Sequence, residues 1–223
     1  MTDVWLGLTI LLSGLNWMAV WHGWQAWNYA SKALIMVFLI AWLAACTGLS
    51  GAARWFGAGL FLSLVGDILL LLSARFFIYG LCAFLITHVC YLAGFLSPPP
   101  AISNAVLSVG LISLSLWAVI YTLIRTAVKL NPAYRKLRQP LAVYSLAICA
   151  MAASAVMTLL RLDWPPQTAG LAASGALLFL FSDVLLAYDR FIQPLPEARL
   201  WKRITYHLGQ QAIIAAVVLQ MAG

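Results

Sequence analysis

The sequence predicts an all-α, polytopic membrane protein in which eight helices cross the bilayer as a single transmembrane domain, residues 1–223. Three observations lead there. Of the 223 residues, 64% are hydrophobic and only 9% charged, with a mean hydropathy of +0.96. A soluble domain of this size could not cover so much apolar surface with so few charges. The apolar residues fall into eight segments of about 20, the length that crosses a hydrocarbon core. Lys and Arg collect on one side when those segments are threaded back and forth.

The spans are expected at about 4–21, 31–48, 56–73, 77–96, 104–124, 140–161, 168–188 and 202–221. Only Asp3 precedes the first apolar run. A cleaved leader has a basic start, so this segment is expected to stay as a span. Lys32 opens the second span. The turn Ser97-Pro98-Pro99-Pro100 separates the fourth from the fifth, and the basic stretch 125–138 separates the fifth from the sixth. Pro165-Pro166 breaks the chain before the seventh, and Pro194 and Pro196 before the eighth, because proline cannot continue a helix. Trp21, Trp24, Trp27 and Trp201 fall near predicted inner ends, Trp55 and Trp164 near outer ones, as interfacial anchors.

One side of the threaded chain holds Lys32, Arg75, Arg125, Lys129, Arg135, Lys136, Arg138, Arg190, Arg199, Lys202 and Arg203. The other holds Arg54 and Arg161. The basic loops are therefore expected in the cytoplasm, with both termini on the non-cytoplasmic side, as an even number of spans requires. This bias fits a bacterial inner membrane. The net charge of +7 then reflects topology and anionic lipid rather than nucleic acid. Cys46, Cys82, Cys90 and Cys149 lie in apolar segments without metal-ligand or redox spacing and read as small core residues.

Two aspartates sit in the middle of these apolar stretches, in sequences that echo each other. Asp67 lies in Gly66-Asp67-Ile68-Leu69-Leu70 and Asp183 in Ser182-Asp183-Val184-Leu185-Leu186. Each motif is followed by Arg-Phe, and the two lie four spans apart, which suggests a 4+4 parallel repeat. A carboxylate in hydrocarbon costs about 3 kcal/mol or more and is seldom kept without a use. Threading places other polar groups near them. Lys32, Tyr144, Tyr206, His207 and Gln210 fall in the cytoplasmic half, with His88 and Tyr91 deeper. Phe84, His88 and Tyr91 share a helix face, as do Tyr206 and Gln210. One polar pocket open toward the inner leaflet would collect them. Each has a plainer reading as well. Lys32 serves equally as a snorkelling anchor, Tyr144, Tyr206 and Gln210 as interhelical glue, and His88 as a satisfied core histidine. His22 reads as interfacial, and Asp163 and Asp189 as loop charges.

Residues 61–70 (FLSLVGDILL), 80–91 (GLCAFLITHVCY), 175–186 (GALLFLFSDVLL) and 206–213 (YHLGQQAI) together resemble the YhhN, or lysoplasmalogenase-like, family of integral membrane proteins. That resemblance implies eight spans, and an enzyme that hydrolyses the vinyl ether bond of lysoplasmalogens to a fatty aldehyde and a glycerophospho-alcohol. It marks Gly66, Asp67, Phe84, His88, Tyr91, Gly175, Phe179, Ser182, Asp183 and Gln210. It also marks Lys32, which the family follows with proline where this chain has Ala33.

The implied chemistry suits two carboxylates. Protonating the β-carbon of a vinyl ether gives an oxocarbenium ion, to which water adds before the hemiacetal collapses. One carboxylic acid would deliver the proton and an ionised partner would stabilise the cation, as in glycosidases. Asp67, the deeper of the two, is the first choice for the acid, with Asp183 orienting water. Lys32 would bind the lipid phosphate, and His88, Tyr91 and Gln210 would hold water or tune the acid. The expected partners are a lysophospholipid and the bilayer. No cofactor is implied, and no pattern specifies an oligomer. A metal hydrolase needs more deep histidines than His88 alone. The competing class is a proton- or cation-coupled transporter, which would also carry one carboxylate in each half.

Overall fold

The computed structural model describes residues 3–222. Met1, Thr2 and Gly223 of the expected domain lie outside the described residues. Eight long helices follow one another: α1 (Asp3–Trp21), α2 (Gln25–Thr47), α3 (Ala53–Leu71), α4 (Phe77–Phe95), α5 (Asn104–Leu130), α6 (Arg138–Met157), α7 (Pro166–Phe191) and α8 (Ala198–Ala222). Single 3₁₀ turns at Ala74–Phe76 and Thr158–Leu160, and a longer one at Pro132–Leu137, lie between them. No strand occurs among the described residues. Seven of the helices are long and apolar enough to cross a membrane. The remaining one is α8, which carries Arg199, Lys202 and Arg203 in its first turns and His207, Gln210, Gln211 and Gln220 farther along. Hydropathy counts these residues as polar, yet His207, Gln210 and Gln211 point inward and are buried.

The ends have local causes. Gly23 and Gly48 take left-handed φ values of 75° and 59° after α1 and α2, where a side chain would be strained. Ser103 caps α5 by accepting the Val106 N–H at 3.2 Å. Pro166 opens α7, where its missing N–H costs nothing.

Three boundaries differ from the sequence expectation. Helix α2 begins at Gln25, two turns before Lys32, because Gly23 already turns the chain back into the bundle. Lys32 is thus 5% exposed and is not an interfacial anchor. Helix α5 runs through Arg125 and Lys129 to Leu130. Those charges leave the apolar zone without ending the helix, since Lys and Arg are good helix formers. Asp189 lies in the last turns of α7 rather than in a loop, and pairs with Lys202 at 2.7 Å.

Sequential helices form the closest pairs: α1 with α2, α3 with α4, α5 with α6, and α7 with α8. The last is tightest because two glycines face each other. A Cβ on Gly175 would lie 2.8 Å from the Gly209 carbonyl oxygen, and one on Gly209 would lie 2.9 Å from that of Gly175. Backbone therefore meets backbone, the usual device of helices packing in lipid. The core lies between α2, α3, α4, α6, α7 and α8, where Met36, Leu39, Leu60, Tyr91, Phe179 and Ile213 are fully buried. Helix α5 packs chiefly on α6 and turns most of its surface outward.

Ring contacts fix which ends share a face. Arg190 lies 4.8 Å over the Phe77 ring, and Tyr134 packs on Phe191 at 5.1 Å. The start of α4, the end of α7 and the α5–α6 connection therefore meet. At the other end Arg161 pairs with Asp163 and donates to the Phe95 carbonyl at 2.8 Å. The guanidinium holds the Asp163 carboxyl below its ordinary pKa.

Candidate functional site

Asp67 stands in the last turns of α3, 1% exposed, and both its oxygens are engaged. Oδ1 pairs with the Lys32 ammonium from α2. Oδ2 accepts the Tyr206 hydroxyl from α8 at 2.9 Å. Lys32 and Asp67 are each buried, so neither charge would be tolerable without the other. Met36 of α2 lies 3.6 Å from the same hydroxyl.

Asp183 stands in α7, and its partners come from α6 and α4. The Tyr144 hydroxyl donates to Oδ2 at 2.5 Å, and His88 Nε2 lies 3.2 Å from that same oxygen. His88 Nε2 is also 3.2 Å from the Tyr144 hydroxyl. Both partners meet Oδ2, so Oδ1 has no protein partner among the described residues, and the side chain keeps 11% exposure. His88 Nδ1 is buried without a partner among the described residues.

An aromatic layer divides the two groups. The Phe179 ring lies 5.0 Å from His88 and 5.4 Å from Tyr206, and Phe84 meets both Phe179 and Tyr206 edge-on. Gly66 is what admits Phe84: a Cβ there would lie 2.7 Å from its ring.

A cavity of about 210 Å³ reaches both aspartates. Asp67, Asp183, Lys32, Ser182 and Tyr206 line it, together with Phe84 and the basic side chains Arg199, Lys202 and Arg203. It is large enough to hold several waters. A second groove, almost wholly apolar, runs between α4, α5, α6 and α7 and reaches Tyr144 and Asp183. Asp183 lines both spaces.

The structure thus brings together five of the residues singled out in the sequence around one cavity and places Tyr144 and His88 directly behind Asp183. Tyr91 and Gln210 belong elsewhere. The Tyr91 hydroxyl donates to Gln210 Oε1 at 2.6 Å, and Gln210 Nε2 donates to Ser63 at 3.0 Å. Ser63 in turn lies 3.3 Å from Thr87. This closed chain ties α3, α4 and α8 together and spends the polar groups on one another. Ser182, though it lines the cavity, donates its hydroxyl to the Lys202 carbonyl at 3.0 Å.

Sequence reasoning missed Arg199 and Arg203, which it read only as topology charges. The signal was present: 199, 203, 206 and 210 recur at helical spacing on one face of α8. Ser63 gave no signal, since a lone serine in an apolar span is commonplace. His207, expected in the cytoplasmic half, is fully buried; its Nδ1 accepts the Trp17 indole N–H at 3.2 Å. Helices α3 and α7 continue unbroken past Asp67 and Asp183, unlike the interrupted helices at carrier sites.

Comparison with known proteins bears on what such a site does. The family model described as the YhhN family matches residues 27–217. The chain is 32% identical over 163 residues to a human protein named lysoplasmalogenase TMEM86A, an alignment covering 72% of this chain and 63% of that one. It is 31% identical to the Mus musculus lysoplasmalogenase TMEM86B, over 75% of this chain and 66% of that one. A Mycobacterium tuberculosis protein named lysoplasmalogenase is 31% identical, over 70% of this chain and 58% of the other. The chain therefore spans rather less than two thirds of the length of these relatives. No solved structure matches it.

Proposed function

This chain belongs to the YhhN family, and we propose that it is an intramembrane hydrolase that cleaves the vinyl ether bond of a lysoplasmalogen-type lysolipid. The names of its relatives support the reaction class. One observation carries the assignment of roles: Asp67 has both oxygens engaged and a lysine against it, whereas Asp183 has one oxygen without a protein partner beside the cavity.

The acid is then Asp183, not the deeper Asp67. Asp67 is paired with the Lys32 ammonium, so it suits the stabilising role. Asp183, with Tyr144 and His88 anchoring Oδ2, presents Oδ1 to the substrate. The proton passes from Oδ1 to the β-carbon of the enol ether, and the α-carbon becomes an oxocarbenium ion. The Asp67 carboxylate and the Phe84 ring, both lining the cavity, lower the energy of that cation. Asp183, now ionised, takes a proton from a cavity water as its oxygen adds to the α-carbon. The hemiacetal collapses to aldehyde and alcohol. Across the sequence one water is consumed and the acid is restored.

The whole chain, residues 1–223, acts on this reading as one transmembrane domain, with the basic face in the cytoplasm of a bacterial inner membrane. The test is aldehyde release from a lysoplasmalogen by purified protein in detergent, where no gradient exists. Aldehyde from the wild type and none from Asp183→Asn is the expected result. A folded wild type that releases none overturns the proposal.

A further inference from the structure

The cavity and the groove meet at Asp183, and they differ in character. The cavity wall carries Lys32, Arg199, Lys202 and Arg203 against Asp67 and Asp183. Lys32 is spent on Asp67, and Lys202 is spent on Asp189 at 2.7 Å. Arg199 and Arg203 have no carboxylate within 4 Å among the described residues. The groove that shares Asp183 is walled by Leu81, Ile120, Ile124, Leu141 and Leu180. Along α5 it extends from Ile120 to Val128, about 12 Å of helix.

We infer that these two spaces form one split binding site for a single-chain lipid bearing an anionic phosphate. Arg199 and Arg203 take the phosphate, the groove takes the hydrocarbon chain, and the junction between them lies against Asp183. A guanidinium suits the phosphate end because its planar fork binds two oxygens at once and it stays charged. Lys32, the earlier choice for that task, is unsuited because its ammonium is committed to Asp67. One groove accepts one chain, and a polar junction held at Asp183 is where a lysolipid carries its sn-1 ether bond. The inference takes the identity of its ligand from the hydrolase reading, but its test does not depend on turnover.

The probe is a saturated 1-O-alkyl lysophosphoethanolamine, which has no double bond to protonate, compared with the 1-O-alkylglycerol of the same chain length. Wild-type protein in detergent should bind the phosphate-bearing lipid about tenfold or more tighter than the neutral one. Arg203→Gln with Arg199→Gln should bring the two affinities together by weakening the first alone. Arg203→Lys should fall between, because it keeps the charge and loses the fork. In the groove, Ile120→Trp should weaken both ligands, most for the longest chains. The inference is overturned if the double Gln variant keeps its preference, if both ligands weaken equally, or if Ile120→Trp leaves chain-length dependence unchanged. Binding as expected without any hydrolysis would leave this site standing and remove the hydrolase reading alone.

Discussion

The surroundings of Asp67 and Asp183 are built to one plan and finished differently. Each aspartate is held by a residue from the helix just before its own, Lys32 or Tyr144, and by a residue from α8 or α4, Tyr206 or His88. At Asp67 the helix-before residue is a cation and the two partners take separate oxygens. At Asp183 it is a phenol, and both partners crowd onto one oxygen. The first arrangement closes a charge into the core as a structural fixture. The second leaves one oxygen without a protein partner among the described residues, on a side chain that lines a cavity large enough for several waters. On the reading proposed above, the two membrane carboxylates are told apart by the partner withheld from Asp183, not by depth.

Substitutions at the two positions should therefore separate. The largest effect is expected from Asp183→Asn: turnover falls about 10³-fold or more, while the melting temperature in detergent stays close to wild type. Asp67→Asn strands the Lys32 ammonium in the core and should cost about 3–5 kcal/mol of stability, read by denaturant or thermal unfolding. If instead Asp67→Asn folds as well as wild type and Asp183→Asn does not, the two roles are exchanged. Sharper still is Lys32→Met combined with Asp67→Leu, which removes the pair together. It should recover stability to within about 1 kcal/mol of wild type and still release no aldehyde. Next come the phenols. Tyr206→Phe removes the donor to Asp67 Oδ2 and should cost about 1–3 kcal/mol of stability. Tyr144→Phe should act mainly on the rate, about tenfold, because Asp183 keeps His88. The smallest effect is expected at the loop carboxylate Asp163, whose pairing with Arg161 depresses its pKa. Its contribution is present above the ordinary carboxylate pKa near about 4 and disappears as pH falls through the lower folded value. Being half in water, it should amount to about 0.5 kcal/mol at most.

Much of this was legible in the sequence for reasons that can be named. Helix number follows from apolar length, because lipid allows no irregular backbone. Asp67 and Asp183 announce themselves because a charge in hydrocarbon is rare. Helix α8 is the instructive case. Its polar residues lower its hydropathy, yet it was expected as a span because its apolar end is long enough and the even count of crossings required it. What was not legible is pairing. Nothing in the order of residues says that Lys32 would meet Asp67, that Tyr91 and Gln210 would consume each other's polar groups, or that Asp183 would keep an oxygen spare. Those outcomes depend on helix rotation and on spacings, fixed to within an ångström, between elements far apart in the chain. The lean toward Asp67 as the acid rested on depth, the one quantity the sequence offered, and depth does not report the identity of the neighbour.

The glycine contact of α7 and α8 has a mechanical corollary. Because Gly175 and Gly209 touch through their main chains, these two helices have no compressible layer of side chains between them and behave as one stiff blade. Helices α3 and α4, which approach at Gly66 and Gly80, make a second. The cavity lies between the blades, where α2 meets α8 and α6 meets α7 more sparsely. Any widening that admits a ligand must then occur by one blade tilting against the other, which carries Asp183 and Arg203 together as a single unit and moves them relative to Asp67. On the reading proposed above, such a movement would part the two carboxylates, and the geometry proposed for the reaction would form only with the space shut.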